Sequence, residues 1–288
     1  MAPEPRFLTG LRSIAADYDH FLLDQWGVLH NGVTPYEGVP EALAALHAAG
    51  KRLSVITNSG RPGAENAGRL PSYGIDPTLL DAVVSSGDVA LDWLRREAPG
   101  RRCFAICSGG DSEPLAAAGV PLAERVEEAE MIYLSGMPAE SDRLDMSIFE
   151  PWIEAGLARG LPLICANPDH HGPHGDQVLL SPGTLAAIYR ERGGTVRSFG
   201  KPGPEIYLRA MAGFPDIPPA RCAMVGDMPE TDLAGAAAAG IDAVWVLGGV
   251  HARDLAAAAD EAARQRIALD ILAKAGTPAA WVLPRLSW

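Results

Sequence analysis

The chain has 288 residues, of which 48% are hydrophobic, so it can form either one large domain or a domain that carries a sizeable insertion. It contains 24 lysines and arginines against 36 aspartates and glutamates, which gives a formal net charge of −12 at pH 7. A protein that follows a nucleic-acid backbone needs a basic surface, and this balance argues against one. We therefore expect no nucleic acid among its partners.

Neither a membrane span nor a metal site built on cysteine is expected. No run of about 18 uncharged apolar residues occurs, and the beginning of the sequence lacks a basic segment followed by an apolar one, so we predict a cytoplasmic protein. The cysteines lie mostly in apolar runs typical of buried strands, and their spacing does not suit zinc. They are Cys103, Cys107, Cys165 and Cys222.

Short apolar runs alternate with helical segments rich in Ala and Leu, which is typical of βα units with a parallel sheet. Gly50 and Gly240 stand where helices end, each shortly before the next apolar run. A last apolar run, 279–283, predicts an edge strand of the same sheet. The other predicted strands at the two ends of the chain are 20–23, 52–56, 221–225 and 242–247.

The segment 80–186 has an α/β alternation of its own and is long enough for a second domain. We interpret it as an inserted α/β cap domain that closes over a site made by the flanking residues, 1–79 and 187–288. The expected fold is therefore α/β, with a Rossmann-like parallel-sheet core, helices on both faces of that sheet, and an inserted cap.

Polar residues follow four of the predicted strands, and in a parallel sheet the carboxyl ends of the strands are where reactive side chains collect. A single aspartate at such a place is usually a helix cap or a turn former. Two aspartates, together with two polar turns, call for a shared role. The four segments are Asp24-Gln25-Trp26-Gly27, Thr57-Asn58-Ser59-Gly60, Lys201-Pro202-Gly203-Pro204 and 227–232.

Asp24 and Asp227 are the candidate ligands of a hard divalent cation, because Mg²⁺ prefers oxygen ligands. Thr57 and Asn58 offer a hydroxyl, an amide and backbone N–H groups, which suit the oxygens of a phosphoryl group. Lys201 supplies a compact positive charge. A solvent-exposed lysine before a helix is the simpler alternative, but the position of Lys201 between two apolar segments favours the functional role.

Asp232 has two interpretations of equal weight. It precedes the predicted helix 233–240, so its side chain can cap that helix. It can also hold a water molecule bound to the metal.

These segments resemble, in order, the four motifs of the haloacid dehalogenase (HAD) superfamily of phosphatases. They are D-Q-W-G-V-L (24–29), T-N-S (57–59), G-K-P-G-P (200–204) and G-D-M-P-E-T-D (226–232). The segment from C-A-N-P-D (165–169) to S-P-G-T-L (181–185) resembles the cap of class IIA members, similar to 4-nitrophenylphosphatases and NagD-type nucleotide phosphatases.

The resemblance implies a Mg²⁺-dependent phosphatase that acts on a small phosphorylated metabolite, such as a sugar phosphate or a nucleotide. Asp24 would attack phosphorus to form an aspartyl-phosphate, with Lys201 assisting and water completing the hydrolysis. Mg²⁺ would be held by Asp24, by the backbone carbonyl of Trp26 and by Asp227. A homodimer through the cap is a further expectation.

Trp26 departs from the pattern, because phosphatases of this family usually carry a second aspartate there, which protonates the leaving group. One explanation is a substrate whose leaving group needs little protonation, such as an acyl phosphate, a phosphoanhydride or an aryl phosphate. Alternatively, another residue donates the proton, and His30 is the nearest candidate in sequence, although a structural histidine is the simpler interpretation.

A third explanation is that the chemistry has changed. The presence of Asp227 and Asp232 argues against a dehalogenase, which needs no Mg²⁺, and the absence of lysine from 80–186 argues against a phosphonatase. A protein that binds a phosphorylated metabolite and regulates, without turnover, is the minority alternative.

The segment 167–176 contains three histidines and two aspartates. Its Pro and Gly residues break the regular spacing that would place metal ligands on one helical face, so a second metal is the less favoured interpretation. We interpret it as a substrate-facing loop in which Asp169, His170 and His171 recognise the leaving group.

Overall fold

The computed structural model of the protein describes residues 4–108, 112–137, 147–174 and 177–288. The chain divides into two compact units. The first consists of Met1–Thr57, Ala67–Val84 and Lys201–Trp288, and the second of Asn58–Asn66 and Ser85–Gly200.

The second unit corresponds to the predicted insertion but has different limits. The sequence placed the insertion at 80–186, whereas the second unit extends to Gly200 and includes the segment that follows Thr57.

The described residues form strands throughout both units. In chain order the strands are β1 (Arg6–Phe7), β2 (His20–Asp24), β3 (Arg52–Thr57), β4 (Ala82–Ser85), β5 (Cys103–Ile106), β6 (Met131–Leu134), β7 (Leu163–Cys165), β8 (His171–His174), β9 (Gln177–Leu180), β10 (Val196–Ser198), β11 (Cys222–Gly226), β12 (Asp242–Val246) and β13 (Trp281–Leu283).

Helices alternate with most of these strands. In chain order they are α1 (Val39–Ala48), α2 (Gly63–Arg69), α3 (Ser86–Glu97), α4 (Glu113–Ala117), α5 (Glu150–Ala158), α6 (Pro182–Glu191), α7 (Pro204–Met211), α8 (Ala234–Ala239), α9 (Ala252–Ala256) and α10 (Glu261–Ala275). Within the described ranges, none is long and apolar enough to cross a bilayer.

The first unit is built on a seven-stranded parallel sheet with the order β1-β13-β12-β11-β2-β3-β4. Strand β2 lies between β11 and β3, and Asp24 at its end is the register partner of Ile56. Because these three strands run parallel, their carboxyl ends meet at one edge of the sheet. That edge carries Asp24, Thr57 and the start of the segment that follows Gly226.

Helices cover both faces of this sheet, as the sequence predicted. Helix α1 packs its buried side chains, among them Leu43 and Leu46, into a core with residues of β2, β3, β11 and β12. Helices α7 and α8 contact the sheet through β3 and β12 respectively. Full burial of a leucine side chain contributes about 1.5–3 kcal/mol, so this packing fixes the strands whose ends form the site.

The second unit has a four-stranded parallel sheet with the order β10-β7-β6-β5 and a core of its own. Fully buried side chains of its strands, such as Leu134 and Leu163, pack with Tyr189 of α6 and Ile153 of α5. The Tyr189 hydroxyl donates a hydrogen bond to the Leu161 carbonyl at 2.8 Å, which satisfies its buried polar atom.

Three details of the sequence interpretation are corrected. Strand β1 precedes β2, so Asp24 ends the second strand of the chain and not the first. Strand β13 lies between β1 and β12, so 279–283 does not supply the sheet edge. The segment 167–176 is not wholly a loop, because β8 begins at His171 and pairs antiparallel with β9. Residues 175 and 176 lie outside the described residues.

The prediction for the cysteines is confirmed. All four are buried, as expected of small core residues in or beside apolar strands.

Replacing Leu43 by alanine tests the packing of α1. We expect Leu43→Ala to lower the free energy of unfolding by about 2–5 kcal/mol, because Leu43 is fully buried and its truncation leaves a cavity. Urea denaturation followed by circular dichroism measures the loss. Glu41→Ala, at an exposed position of the same helix, should change stability by less than about 1 kcal/mol. Equal losses in the two variants would contradict the packing.

Candidate active site

A buried ion pair joins Asp24 to Lys201 in the first unit. The Lys201 ammonium donates a hydrogen bond to Oδ1 of Asp24, and its Nζ lies 3.4 Å from the Ile56 carbonyl oxygen and 2.7 Å from Oδ1 of Asp232. Lys201 is only 3% exposed. The alternative of a solvent-exposed lysine is therefore excluded, and the charge of Lys201 is directed towards Asp24 and Asp232.

Three aspartates come together around this lysine. Asp24, Asp227 and Asp232 are all buried, and each offers an oxygen atom within 4.8 Å of the others. With Lys201 they carry a formal charge of two negatives when all are ionised. Hard carboxylate oxygens are the ligands that Mg²⁺ prefers, and a divalent cation would balance that charge. The residues therefore fit a divalent metal.

The electrostatics of the site show how strongly these charges interact. Burial raises the pKa of Asp24 well above its usual range, and the charges of Asp232 and Asp227 add to that effect while Lys201 opposes it. Burial and then the charge of Asp232 raise the pKa of Asp227 to about 7, against a hydrogen bond from Val250 that lowers it. Without a cation, the carboxyl groups of Asp24 and Asp227 therefore resist ionisation.

Lys201 responds in the opposite sense. Burial acts to lower its pKa, but the charges of Asp232 and Asp24 outweigh burial and hold the pKa well above its usual range. Lys201 therefore stays an ammonium and is unsuited to act as a base.

Asp232 does not cap the helix that follows it. It lies in a π-helical turn, Pro229–Leu233, and α8 begins only at Ala234. Its Oδ2 accepts hydrogen bonds from the N–H groups of Asp227 at 3.0 Å and Met228 at 3.1 Å. Asp232 therefore fixes the chain next to Asp227 through one oxygen and pairs with Lys201 through the other.

Asp227 is held by hydrogen-bond donors and close-packed glycines that the sequence did not predict. Its Oδ2 accepts a hydrogen bond from the Val250 N–H at 2.7 Å, and its carbonyl accepts one from Nε1–H of Trp245 at 2.9 Å. A Cβ atom at Gly27, where φ is +86°, or at Gly249 would overlap the Asp227 carboxylate. The available signal was the Gly-Gly pair directly after the apolar run 242–247.

Trp26 belongs to an aromatic cluster. Its ring contacts His30 edge-on with centroids 4.8 Å apart, and His30 stacks on Tyr73 at 4.1 Å. Gly32, where φ is +92°, lies so close that a Cβ atom would overlap the indole. Trp26 therefore presents an indole ring held by packing, and not a carboxylic acid, two residues after Asp24.

His30 is structural and does not supply the missing proton. It is fully buried, and its Nδ1 accepts a hydrogen bond from the Gly32 N–H at 3.0 Å. Its Nε2 lies 3.1 Å from Nε2 of the Gln25 amide. Burial lowers the pKa of His30 to about 4, so the ring stays neutral at physiological pH.

The predicted phosphate-binding turn begins where β3 ends. Thr57 is the last residue of β3, is 2% exposed, and directly follows Ile56, the register partner of Asp24. Asn58 begins the next segment and belongs to the second unit, where its Nδ2 donates a hydrogen bond to Oδ1 of Asp169 at 2.7 Å.

The predicted residues of the substrate-facing segment do not form a cluster. Asp169 is bonded to Asn58, whereas His170 and His171 are exposed. In the described part of the chain, the three buried aspartates of the first unit are the one group that could hold a metal ion. The His174 side chain and residue 176 lie outside what the structure describes.

Comparison with known proteins agrees with this arrangement. Residues 21–121 match the family described as haloacid dehalogenase-like hydrolase, and residues 198–275 match the HAD-hydrolase-like family. The first match includes Asp24 and Thr57, and the second includes Lys201 and the three acidic residues of 226–232.

Curated relatives include phosphatases of small metabolites. The chain is 30% identical to D-glycerol 3-phosphate phosphatase of Mycobacterium tuberculosis, over 84% of this chain and 66% of that protein. It is 30% identical to glycerol-3-phosphate phosphatase of Gallus gallus, over 83% of this chain and 82% of that protein. Acid sugar phosphatase of Staphylococcus aureus is 24% identical, over 81% and 88% of the two chains.

Solved structures share the fold. A haloacid dehalogenase-like hydrolase from Brucella suis has a TM-score of 0.82 at 29% identity, over 97% of this chain and 99% of that one. The p-nitrophenyl phosphatase from Archaeoglobus fulgidus has a TM-score of 0.72 at 24% identity, over 93% and 97%. A glycerol phosphate phosphatase from M. tuberculosis in complex with magnesium has a TM-score of 0.67 at 28% identity, over 87% and 74%.

The motifs, the sheet, the buried acidic site and these similarities lead to one assignment. The chain belongs to the haloacid dehalogenase-like hydrolases and is a HAD-type phosphatase, with the fold of the p-nitrophenyl phosphatase from A. fulgidus.

Proposed function

We propose that the protein hydrolyses a small phosphorylated metabolite, a sugar phosphate, a nucleotide or a similar phosphomonoester, through an aspartyl-phosphate on Asp24. The observation that carries this proposal is the buried carboxylate of Asp24, bonded to Lys201 and grouped with two further aspartates. The names of the phosphatase relatives support the class of substrate.

Lys201 prepares Asp24 for attack on phosphorus. A carboxylate is a poor nucleophile towards a phosphate dianion unless positive charge offsets the repulsion. The hydrogen bond from Lys201 fixes the rotation of the Asp24 carboxylate and favours its ionised form against the effect of burial. Asp232 in turn holds the ammonium from the other side.

The metal in this proposal is Mg²⁺, held by Asp24, Asp227 and the backbone carbonyl of Trp26. When bound, Mg²⁺ supplies the positive charge that neutralises phosphoryl oxygens. Val250 and Trp245 keep Asp227 in place for that role through their hydrogen bonds. Thr57 and Asn58 supply polar groups for the remaining phosphoryl oxygens.

The leaving group is where this chain should differ from its phosphatase relatives. General acid catalysis contributes about 10²–10⁴-fold, most of all for a strongly basic leaving group. Trp26 has no acidic proton to donate to a leaving group, and His30 is fully buried in the core. Among phosphomonoesters, those whose leaving group departs with little protonation should therefore be hydrolysed fastest. Alkyl esters, such as sugar phosphates and glycerol 3-phosphate, should be hydrolysed more slowly than aryl phosphates.

A protein that binds a phosphorylated metabolite without turnover is the alternative function. It shares the metal and phosphate sites but requires no reaction at Asp24.

The Asp24→Asn variant distinguishes the two functions. We expect wild-type protein with Mg²⁺ to hydrolyse p-nitrophenyl phosphate and Asp24→Asn to lose at least about 10³-fold in kcat, because the amide cannot form the phosphoenzyme. Release of nitrophenol measures turnover, and thermal denaturation checks that the variant is folded. An inactive wild type, or an Asp24→Asn variant that keeps its activity, would contradict the proposed mechanism.

Metal binding should strengthen as pH rises. Burial raises the pKa of the Asp227 carboxyl group to about 7. The bound proton therefore stabilises the folded protein, and this stabilisation is fully present below the ordinary pKa of 3.8 and is lost as pH rises through about 7. The metal-free protein therefore loses stability over this range, and Mg²⁺, which needs the ionised form, should raise Tm more at pH 8 than at pH 6.

Differential scanning fluorimetry with and without Mg²⁺ at the two pH values measures this effect. Asp227→Asn serves as the control, because it should lose most of the Mg²⁺-induced shift. A wild-type shift that is the same at pH 6 and pH 8 would count against the assignment of Asp227 as a ligand.

The role of Trp26 can be measured with aryl and alkyl phosphates of graded leaving-group pKa. We expect the wild-type kcat/KM to fall steeply as the leaving-group pKa rises, and Trp26→Asp to flatten that slope by adding an acid. Trp26→Asn is the matched control, since it opens the same space in the aromatic cluster without a carboxylic acid. Equal slopes in the wild type and Trp26→Asp would refute the account and point to another donor.

A further inference from the structure

Asp169 and Asn58 are bonded to each other, although the sequence suggested separate tasks for them. Oδ1 of Asp169 accepts a hydrogen bond from Nδ2 of Asn58 at 2.7 Å. The two residues are 111 positions apart in the chain, and both belong to the second unit. A hydrogen bond to a carboxylate is about twice as strong as one between neutral groups, so this contact strongly orients the amide.

The other end of the Asn58 amide is confined by shape. Asn58 is only 4% exposed. A Cβ atom at Gly200, where φ is +103°, would overlap both Oδ1 of Asn58 and the Ser86 side chain. Ser86 is itself held by a hydrogen bond from its hydroxyl to the Phe199 carbonyl at 2.5 Å. The amide therefore has its oxygen against a tightly packed backbone and its nitrogen on Asp169.

Asp169 is in turn fixed by its own backbone. Its N–H donates to Oδ1 of Asn167 at 3.2 Å, and its carbonyl accepts the Gly183 N–H at 2.9 Å, in the first turn of α6. A Cβ atom at Gly183 would overlap the carbonyls of Pro168 and Asp169, so the turn is closely packed. The neighbouring His170 and His171 are exposed by contrast. The Asp169 backbone is thus held in place by hydrogen bonds within the second unit.

We infer that Asp169 is a positioning residue that holds the Asn58 side chain, and so the turn directly after Thr57, in the form that receives phosphoryl oxygens. Its carboxylate does not read the leaving group. This inference rests on the proposed function, because the proposed function is what assigns a phosphoryl group to the T-N-S turn (57–59). It reverses the sequence interpretation, which placed Asp169 with the residues that recognise the leaving group.

An inhibitor without a leaving group tests this assignment. Orthovanadate presents oxygens like those of a phosphoryl group and has no organic part, so its binding should depend on the groups that hold the phosphoryl group and not on residues that recognise the leaving group. With Mg²⁺ present, we expect Asp169→Ala to raise the Ki of orthovanadate roughly tenfold, the loss that follows from removing one charge-assisted hydrogen bond. Asp169→Asn, which keeps an oxygen acceptor, should lose less.

Three further measurements complete the experiment. Asp169→Ala should lower kcat/KM by one common factor for an aryl and an alkyl phosphate. In an Asn58→Ala background it should cause no additional loss, because the partner is already absent. Glu154→Gln removes one exposed acidic charge from the same unit and controls for charge alone, so its Ki should equal that of the wild type.

The outcomes separate this inference from the proposed function. An unchanged Ki in Asp169→Ala, together with a changed preference between the two substrates, would overturn the inference and restore Asp169 as a leaving-group reader. Additive losses in the double variant would overturn it as well. If Asp169→Ala does not fold, Asp169→Asn carries the same comparison. A wild type that neither hydrolyses phosphate esters nor binds orthovanadate would instead refute the proposed function.

Discussion

The site depends on one buried ammonium placed between two carboxylates. Lys201 contacts Asp24 on one side and Asp232 on the other, and all three are almost fully removed from water. Burying an unpaired charge is very costly, so each of these groups is tolerable only because the others are present. Asp227 leaves an excess of negative charge beside them. That excess negative charge attracts a divalent cation to the place where the Asp24 carboxylate lies. The proposed mechanism needs the cation and the nucleophile side by side.

The proposed reaction needs groups that hold the phosphoryl group and a group that protonates the leaving group, and the described residues supply the first more clearly than the second. The groups that neutralise and position a phosphoryl group are buried, mutually bonded and supported by backbone donors such as the Val250 N–H. Trp26 is held by packing against His30 and Gly32 and offers no carboxylic acid. The proposed mechanism therefore has groups for the attack of Asp24 on phosphorus but no carboxylic acid at Trp26 to protonate a basic leaving group.

The sequence predicted the features of the fold and the site that depend on local sequence pattern. Asp24 and Asp227 follow β2 and β11, which pair in one parallel sheet, so these two residues could be brought together from strand ends alone. Lys201 follows β10, which belongs to the sheet of the second unit, so the strand-end argument does not explain its position. The role of Val250 was missed because a backbone N–H has no side-chain signature. The Asn58–Asp169 bond was missed because it joins distant residues through tertiary packing. His30 could be either a donor or a structural residue until its burial decided the question, and the position of β13 depended on β1, which is only two residues long.

The covalent intermediate on Asp24 is the central claim, and trapping it is the most direct test. Protein quenched in acid during steady-state turnover with Mg²⁺ and p-nitrophenyl phosphate can be treated with borohydride, which reduces an acyl phosphate to the alcohol. Peptide mass spectrometry should then find homoserine at position 24 in the sample with substrate, and not in a sample quenched without it. Turnover that leaves position 24 unmodified, or reduction at another carboxylate, would contradict the account.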